Sequence, residues 1–229
     1  MSDTNDRSEL RNDKQDRTGR SQSLGEEIAN SITHGIGVAL SIAALSVLVV
    51  FAGLQGDAWR IVSFSIYGST LIILYLSSTL YHVFPVSKVK RIFKLLDHTS
   101  INLLIAGTYT PITLVTLRGS LGWMIFGFIW GLALFGIFRD IFLPRLRFLA
   151  IALYIIMGWL ALIAIEPIMR VASNGLIFWF VTGGVCYTLG VIFYAWKSLR
   201  FHHTIWHLFV LGGSITHFFG ILLYLTPKI

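Results

Sequence analysis

Seven apolar stretches, each about as long as a bilayer is thick, divide most of this 229-residue chain. They fall at roughly 31–53, 59–80, 99–117, 121–138, 147–165, 174–195 and 205–225. A helix needs about 20 apolar residues to cross the hydrocarbon core. Inside lipid every backbone N–H and C=O must be paired within the protein, which leaves only helices and closed barrels. The runs are continuously apolar and lack the alternation of a membrane barrel. The sequence therefore predicts an all-α fold, a seven-transmembrane helix bundle. Composition agrees: mean hydropathy is +0.74 and 13% of residues are charged, too few to cover a soluble domain of this size.

The charges also orient the bundle. Arg7, Arg11, Lys14, Arg17 and Arg20 precede the first run. Lys88, Lys90, Arg91 and Lys94 lie between runs two and three, Arg139, Arg145 and Arg147 follow run four, and Lys197 and Arg200 follow run six. The alternate loops hold only Arg60, Arg118, Arg170 and Lys228. Positive residues stay on the cytoplasmic side, so the expected topology has a cytoplasmic N-terminus and an external C-terminus. That orientation is opposite to that of G-protein-coupled receptors. The net charge of +7 is spread over these loops, which argues against a nucleic-acid partner.

Residues 1–23 are polar, balance five acids against five bases and hold no apolar segment. They read as a disordered cytoplasmic tail and not as a signal peptide. Residues 24–229 read as one domain. No internal repeat points to an inverted-repeat transporter. The single cysteine, Cys186, excludes an internal disulfide and a cysteine-rich metal site. Gly35 with Gly37, Gly183 with Gly184 and Gly212 with Gly213 predict close helix packing. Pro111 predicts a kink in the third helix.

Ionisable groups within membrane helices are costly and mark function. His203 and His207 are one helical turn apart, about 40° around the axis, a spacing at which two imidazoles can share one metal ion. His202 lies about 140° from His207 and is the poorer candidate. Ser78 and His82 repeat the one-turn spacing at the end of run two, and Asp97 opens run three. Four of these groups, His82, Asp97, His203 and His207, fall at one membrane depth although they come from three distant segments. Three histidines leave a fourth zinc position for water. Asp97 could orient or deprotonate that water, and Ser78 could hydrogen-bond it. The alternative for Asp97 is a helix N-cap charge or an ion pair with Lys94 or Arg91. Around the first run, Glu27, Asn30 and His34 are candidates to orient the ligands, while Glu26 and Glu27 also suit ordinary helix N-terminal chemistry. His217 lies about 15 Å beyond His207 along the helix, too far to join it. It reads as a core hydrogen-bonding histidine or as part of a polar track with His34. His98 points about 100° away from Asp97 and is not expected to be a ligand.

These residues also carry a resemblance. Glu27-x2-Asn30-x3-His34, Ser78-x3-His82 with Lys94-Leu95-Leu96-Asp97, and His203-x3-His207 resemble the three motifs of the progestin and adipoQ receptor (PAQR) superfamily. The stretches SSTLYHVFP, LLDHTSINLLIAGTYTP and HTIWHLFVLGGSITHFFG are similar to its bacterial branch, the hemolysin III or TrhA family. The likeness runs from about residue 24 to the end. It implies seven helices in the cell (plasma) membrane and a Zn2+ ion near the cytoplasmic side. It implies His82, His203 and His207 as zinc ligands, and Asp97 and Ser78 as holders of water. Superfamily relatives include ceramidases, which hydrolyse a lipid amide.

Two functions follow as expectations. One is a zinc-dependent hydrolase of a lipid amide or ester, serving membrane homeostasis, with membrane lipids as partners. The other is a non-enzymatic pore-forming (cytolytic) or membrane-sensing protein with a structural zinc. A monomeric pore is disfavoured because the polar groups gather in one half of the bundle.

Overall fold

The computed structural model describes residues 22–54, 57–85, 88–143 and 147–226. The expected tail, up to residue 21, lies outside them. Among the described residues there is no strand. Helix α1 spans Leu24–Gly53, α2 Ala58–Val83, α3 Lys88–Pro111, α4 Ser120–Phe142, α5 Arg147–Gly158, α6 Ile165–Val171, α7 Asn174–Ala195 and α8 His202–Tyr224.

Six helical segments among the described residues are long and apolar enough to cross a membrane: α1, α2, α4, α5 with α6, α7 and α8. Helix α3 differs because its first half carries Lys88, Lys90, Arg91, Lys94 and Asp97. Its second half, from Thr99 onward, is mostly buried among its neighbours.

The helix ends follow from local chemistry. Ser23 caps α1 in a reciprocal capping box: its side chain accepts from Glu26 N, and the Glu26 carboxylate accepts from Ser23 N at 2.8 Å. Asp57 caps α2, accepting from the backbone N–H of Trp59 and of Arg60. Pro111 ends the α-helical part of α3, and Ile112–Thr116 continues as one widened π-helical turn. At Pro111, where a kink was expected, the helix changes type.

The fifth apolar run departs further from a simple span. It breaks after Gly158 into a 3₁₀ turn, Leu160–Ala164, before α6. The cause lies on another helix. Tyr109 of α3 donates its hydroxyl to the Gly158 carbonyl at 3.1 Å and accepts from Ala161 N at 2.9 Å. A side chain inserted into the backbone ladder is a recognised origin of a helix break.

Packing closes the bundle around two apolar cores. One gathers α1, α2, α3, α7 and α8 around Leu48, Phe64, Leu71, Val210 and Ile221. The other joins α3, α4 and α5 around Ala106, Ile129, Ala133 and Met157. One member of each expected glycine pair lies at a close approach: Gly37 under Tyr75, Gly183 under His217 and Gly213 under Tyr187. Their partners Gly35, Gly184 and Gly212 have room for a side chain.

Several buried polar groups pair across helices. Tyr75 donates to Ser214 Oγ at 2.7 Å, and Tyr187 lies 2.8 Å from the same oxygen, so α2, α7 and α8 meet at one hydroxyl. Helix α4 runs past the expected end of its apolar run and buries an ion pair between Arg139 and Asp140. Asn102 of α3 donates to the other Asp140 oxygen at 3.0 Å.

Candidate metal centre

The N-terminal turns of α1 and α8 and the last turn of α2 meet at one end of the bundle, so α1 and α8 run parallel and α2 antiparallel to both. There His82 from α2 meets His203 and His207 from α8. One ring nitrogen from each can be chosen so that all three lie within 4.8 Å of one another. Ring centroids stand 5.2 Å apart for His82 and His203, 5.2 Å for His82 and His207, and 4.5 Å for His203 and His207. His82 and His207 are buried and His203 half-buried. Such a group can hold a metal ion.

The unsatisfied atoms test that fit. His82 Nε2, His203 Nε2 and His207 Nδ1 are all buried without a hydrogen-bond partner. A buried polar atom with no partner costs about 1–3 kcal/mol, a cost that a cation held by these three rings would relieve. Ser78, one turn before His82, adds a fully buried Oγ that also lacks a partner.

Helix α1 supplies no ligand, yet it touches both ligand-bearing helices. Glu27 Oε2 lies 2.6 Å from His82 Nδ1, which leaves Nε2 as the ring nitrogen that could face an ion. This is the carboxylate–histidine arrangement that fixes tautomer and ring orientation at metal sites. The other Glu27 oxygen accepts from Lys90 Nζ at 3.0 Å. Asn30 is fully buried; its Oδ1 accepts from Thr204 Oγ1 at 2.6 Å, and its Nδ2 stands 3.5 Å from His82 Nδ1. His34 stacks on His207 with centroids 3.5 Å apart and planes 12° from parallel. The Tyr75 ring stands perpendicular to that of His34, with centroids 5.0 Å apart.

Glu26 combines two roles. Besides its capping box, its Oε1 accepts from Phe201 N at 3.0 Å, immediately before α8. Phe201 is left-handed, φ 58° and ψ 19°, the one non-glycine residue of positive φ among those described. Backbone strain of this kind persists where surroundings over-determine it. Here the Glu26 tie holds the turn that delivers His203 and His207.

The remaining candidates fall elsewhere. Asp97 lies inside α3, which begins at Lys88, so it is not a helix N-cap. Its carboxylate stands 3.6 Å from His98 Nδ1 and does not join the mutually close group. His98 Nδ1 faces the Lys94 carbonyl at 2.7 Å, and neither His98 nor His202 belongs to that group. His217 donates from Nε2 to the Phe180 carbonyl at 3.1 Å, as a core histidine does. It also neighbours Tyr187 at 5.5 Å, so Ser214 and Tyr75 connect it by contacts to His34. Sequence spacing had no means of finding Thr204 and Lys90, because their partners lie 174 and 63 residues away.

Among the described residues, six helical segments long and apolar enough to cross a membrane and a largely buried three-histidine group describe a multi-pass membrane protein. The family follows from comparison: the model for "Haemolysin-III related" proteins matches residues 22–218, and the chain belongs to that family. It is 50% identical to the Hemolysin-3 homolog of Bacillus subtilis (strain 168) over 202 residues, covering 88% of this chain and 95% of the relative. It is 49% identical to Hemolysin-3 of Bacillus cereus over 211 residues, covering 92% and 96%. At 28% identity it is also similar to the human Monocyte to macrophage differentiation factor, covering 87% and 84%.

Proposed function

We propose that the chain is a zinc-dependent membrane hydrolase that cleaves a lipid amide or ester. The observation that carries this reading is the close three-histidine group in which each ring has a buried nitrogen without a partner. Three protein ligands with an open fourth position are the mark of catalytic zinc sites, whereas structural sites close with four. Zinc bound there would polarise a substrate carbonyl and lower the pKa of a water molecule to about 7. His82, His203 and His207 would hold the ion. Glu27 and Asn30 orient the rings. The orphan Oγ of Ser78 would donate to a developing oxyanion, and Asp97 would take and return the proton. Substrate would be a membrane lipid, in keeping with a role in membrane homeostasis.

The same reading makes α3 the seventh span, its buried half crossing the bilayer and its basic half at the inner surface. It places the N-terminus in the cytoplasm, with the metal centre near the inner leaflet. The test replaces His203 with alanine and follows bound zinc and lipid turnover together. Both should fall, turnover by about 10²-fold or more. Full turnover by a zinc-free variant would exclude the mechanism.

The name of the Bacillus cereus relative, Hemolysin-3, favours a second reading as a membrane-permeabilising protein. Dye-loaded liposomes containing the purified chain separate the two. A hydrolase leaves the dye in place while consuming lipid, and a pore releases it without lipid turnover.

A further inference from the structure

Lys90 stands one contact behind the carboxylate that orients His82. It is the third residue of α3, a helix that contributes nothing to the three-histidine group. Its Nζ donates to Glu27 Oε1 at 3.0 Å and sits 4.9 Å over the ring of Tyr81. Tyr81 in turn lies 4.7 Å from the ring of His82. Only 16% of the Lys90 side chain is exposed, and 25% of that of Glu27. The pair is therefore held between α1, α2 and α3 and is not a loose surface contact.

Glu27 needs such a partner. Its two oxygens have opposite tasks: Oε2 meets His82 at 2.6 Å, and Oε1 is fixed by the ammonium. A half-buried carboxylate with one oxygen left bare would rotate toward water, and the imidazole would lose its anchor.

We propose that Lys90 is a positioning residue of the metal centre, holding Glu27 in the rotamer that presents His82 Nε2 to the ion. This rests on the three histidines binding zinc, and the test keeps the two ideas apart. The full chain in detergent is titrated with Zn2+ against a chromophoric chelator, as wild type, Lys90→Ala, Lys90→Arg, Glu27→Gln and the Lys90→Ala/Glu27→Gln double variant. Lys90→Ala should weaken zinc binding by up to about tenfold, the low end of effects of outer residues at metal sites. Lys90→Arg should restore most of it. In the Glu27→Gln background Lys90→Ala should change nothing further, because the coupling runs through that carboxylate. Melting temperatures without metal should match across the variants.

Wild-type affinity in Lys90→Ala overturns the proposal. So does a full, additive effect on top of Glu27→Gln, or a metal-free melting temperature that falls equally in Lys90→Ala and Lys90→Arg. Wild-type protein that takes up no zinc overturns the metal reading itself, a result none of the variant comparisons can mimic.

Discussion

His207→Ala should purify with essentially no zinc while the wild type carries close to one ion per chain, as read by elemental analysis. The residue is fully enclosed, with 2% of its surface exposed, and stacks on His34 at 3.5 Å, so solvent has little room to replace its nitrogen. Two imidazoles from His82 and His203 would remain, one ligand short of the three-ligand sites in which zinc is retained. Stability should report the same loss. A ligand at about 1,000 times its dissociation constant adds about 4 kcal/mol to the folded state. Wild-type melting should therefore rise on addition of zinc, and the variant's should stay nearly level. Wild-type zinc content in the variant would remove His207 from the ligand set.

Asp97→Asn should do the reverse, keeping zinc near one per chain while slowing lipid turnover by about 10²–10⁴-fold, the range of a lost general acid–base group. The amide keeps the shape and hydrogen-bonding reach of the side chain but cannot take up a proton. Its carboxylate lies outside the mutually close histidines, which is why retention of metal is expected. Because Asp97 sits on α3 and the ligands on α2 and α8, the two variants divide the work of the site between separate helices. Turnover unchanged in Asp97→Asn would move the proton-handling role to another group.

Much of this was legible in the sequence because membrane helices obey short-range rules. The spacing of His203 and His207, and the end-of-run position of His82, place three imidazoles at one depth from periodicity alone. What spacing could not supply was rotation of one helix about another. The stacking of His34 on His207, the grip of Asn30 on Thr204 and the left-handed turn at Phe201 all depend on how α1 faces α8. The break after Gly158 was equally hidden. Residues 148–165 hold no charged residue, and the interrupting hydroxyl belongs to Tyr109, 49 residues before Gly158. The first half of α3 shows a further limit: its lysines suit a loop by composition, yet they ride on the same continuous helix as Asn102.

The contacts between α1 and α8 also have a consequence for biogenesis. Glu26 and Asn30 leave the ribosome 175 and 174 residues ahead of their partners Phe201 and Thr204, and His34 well ahead of His207. A chain that has inserted only its earlier helices holds His82 of the three-histidine group, with Glu27 and Asn30 beside it, but neither His203 nor His207. The three-histidine group is therefore assembled only when α8 has docked against α1 and α2.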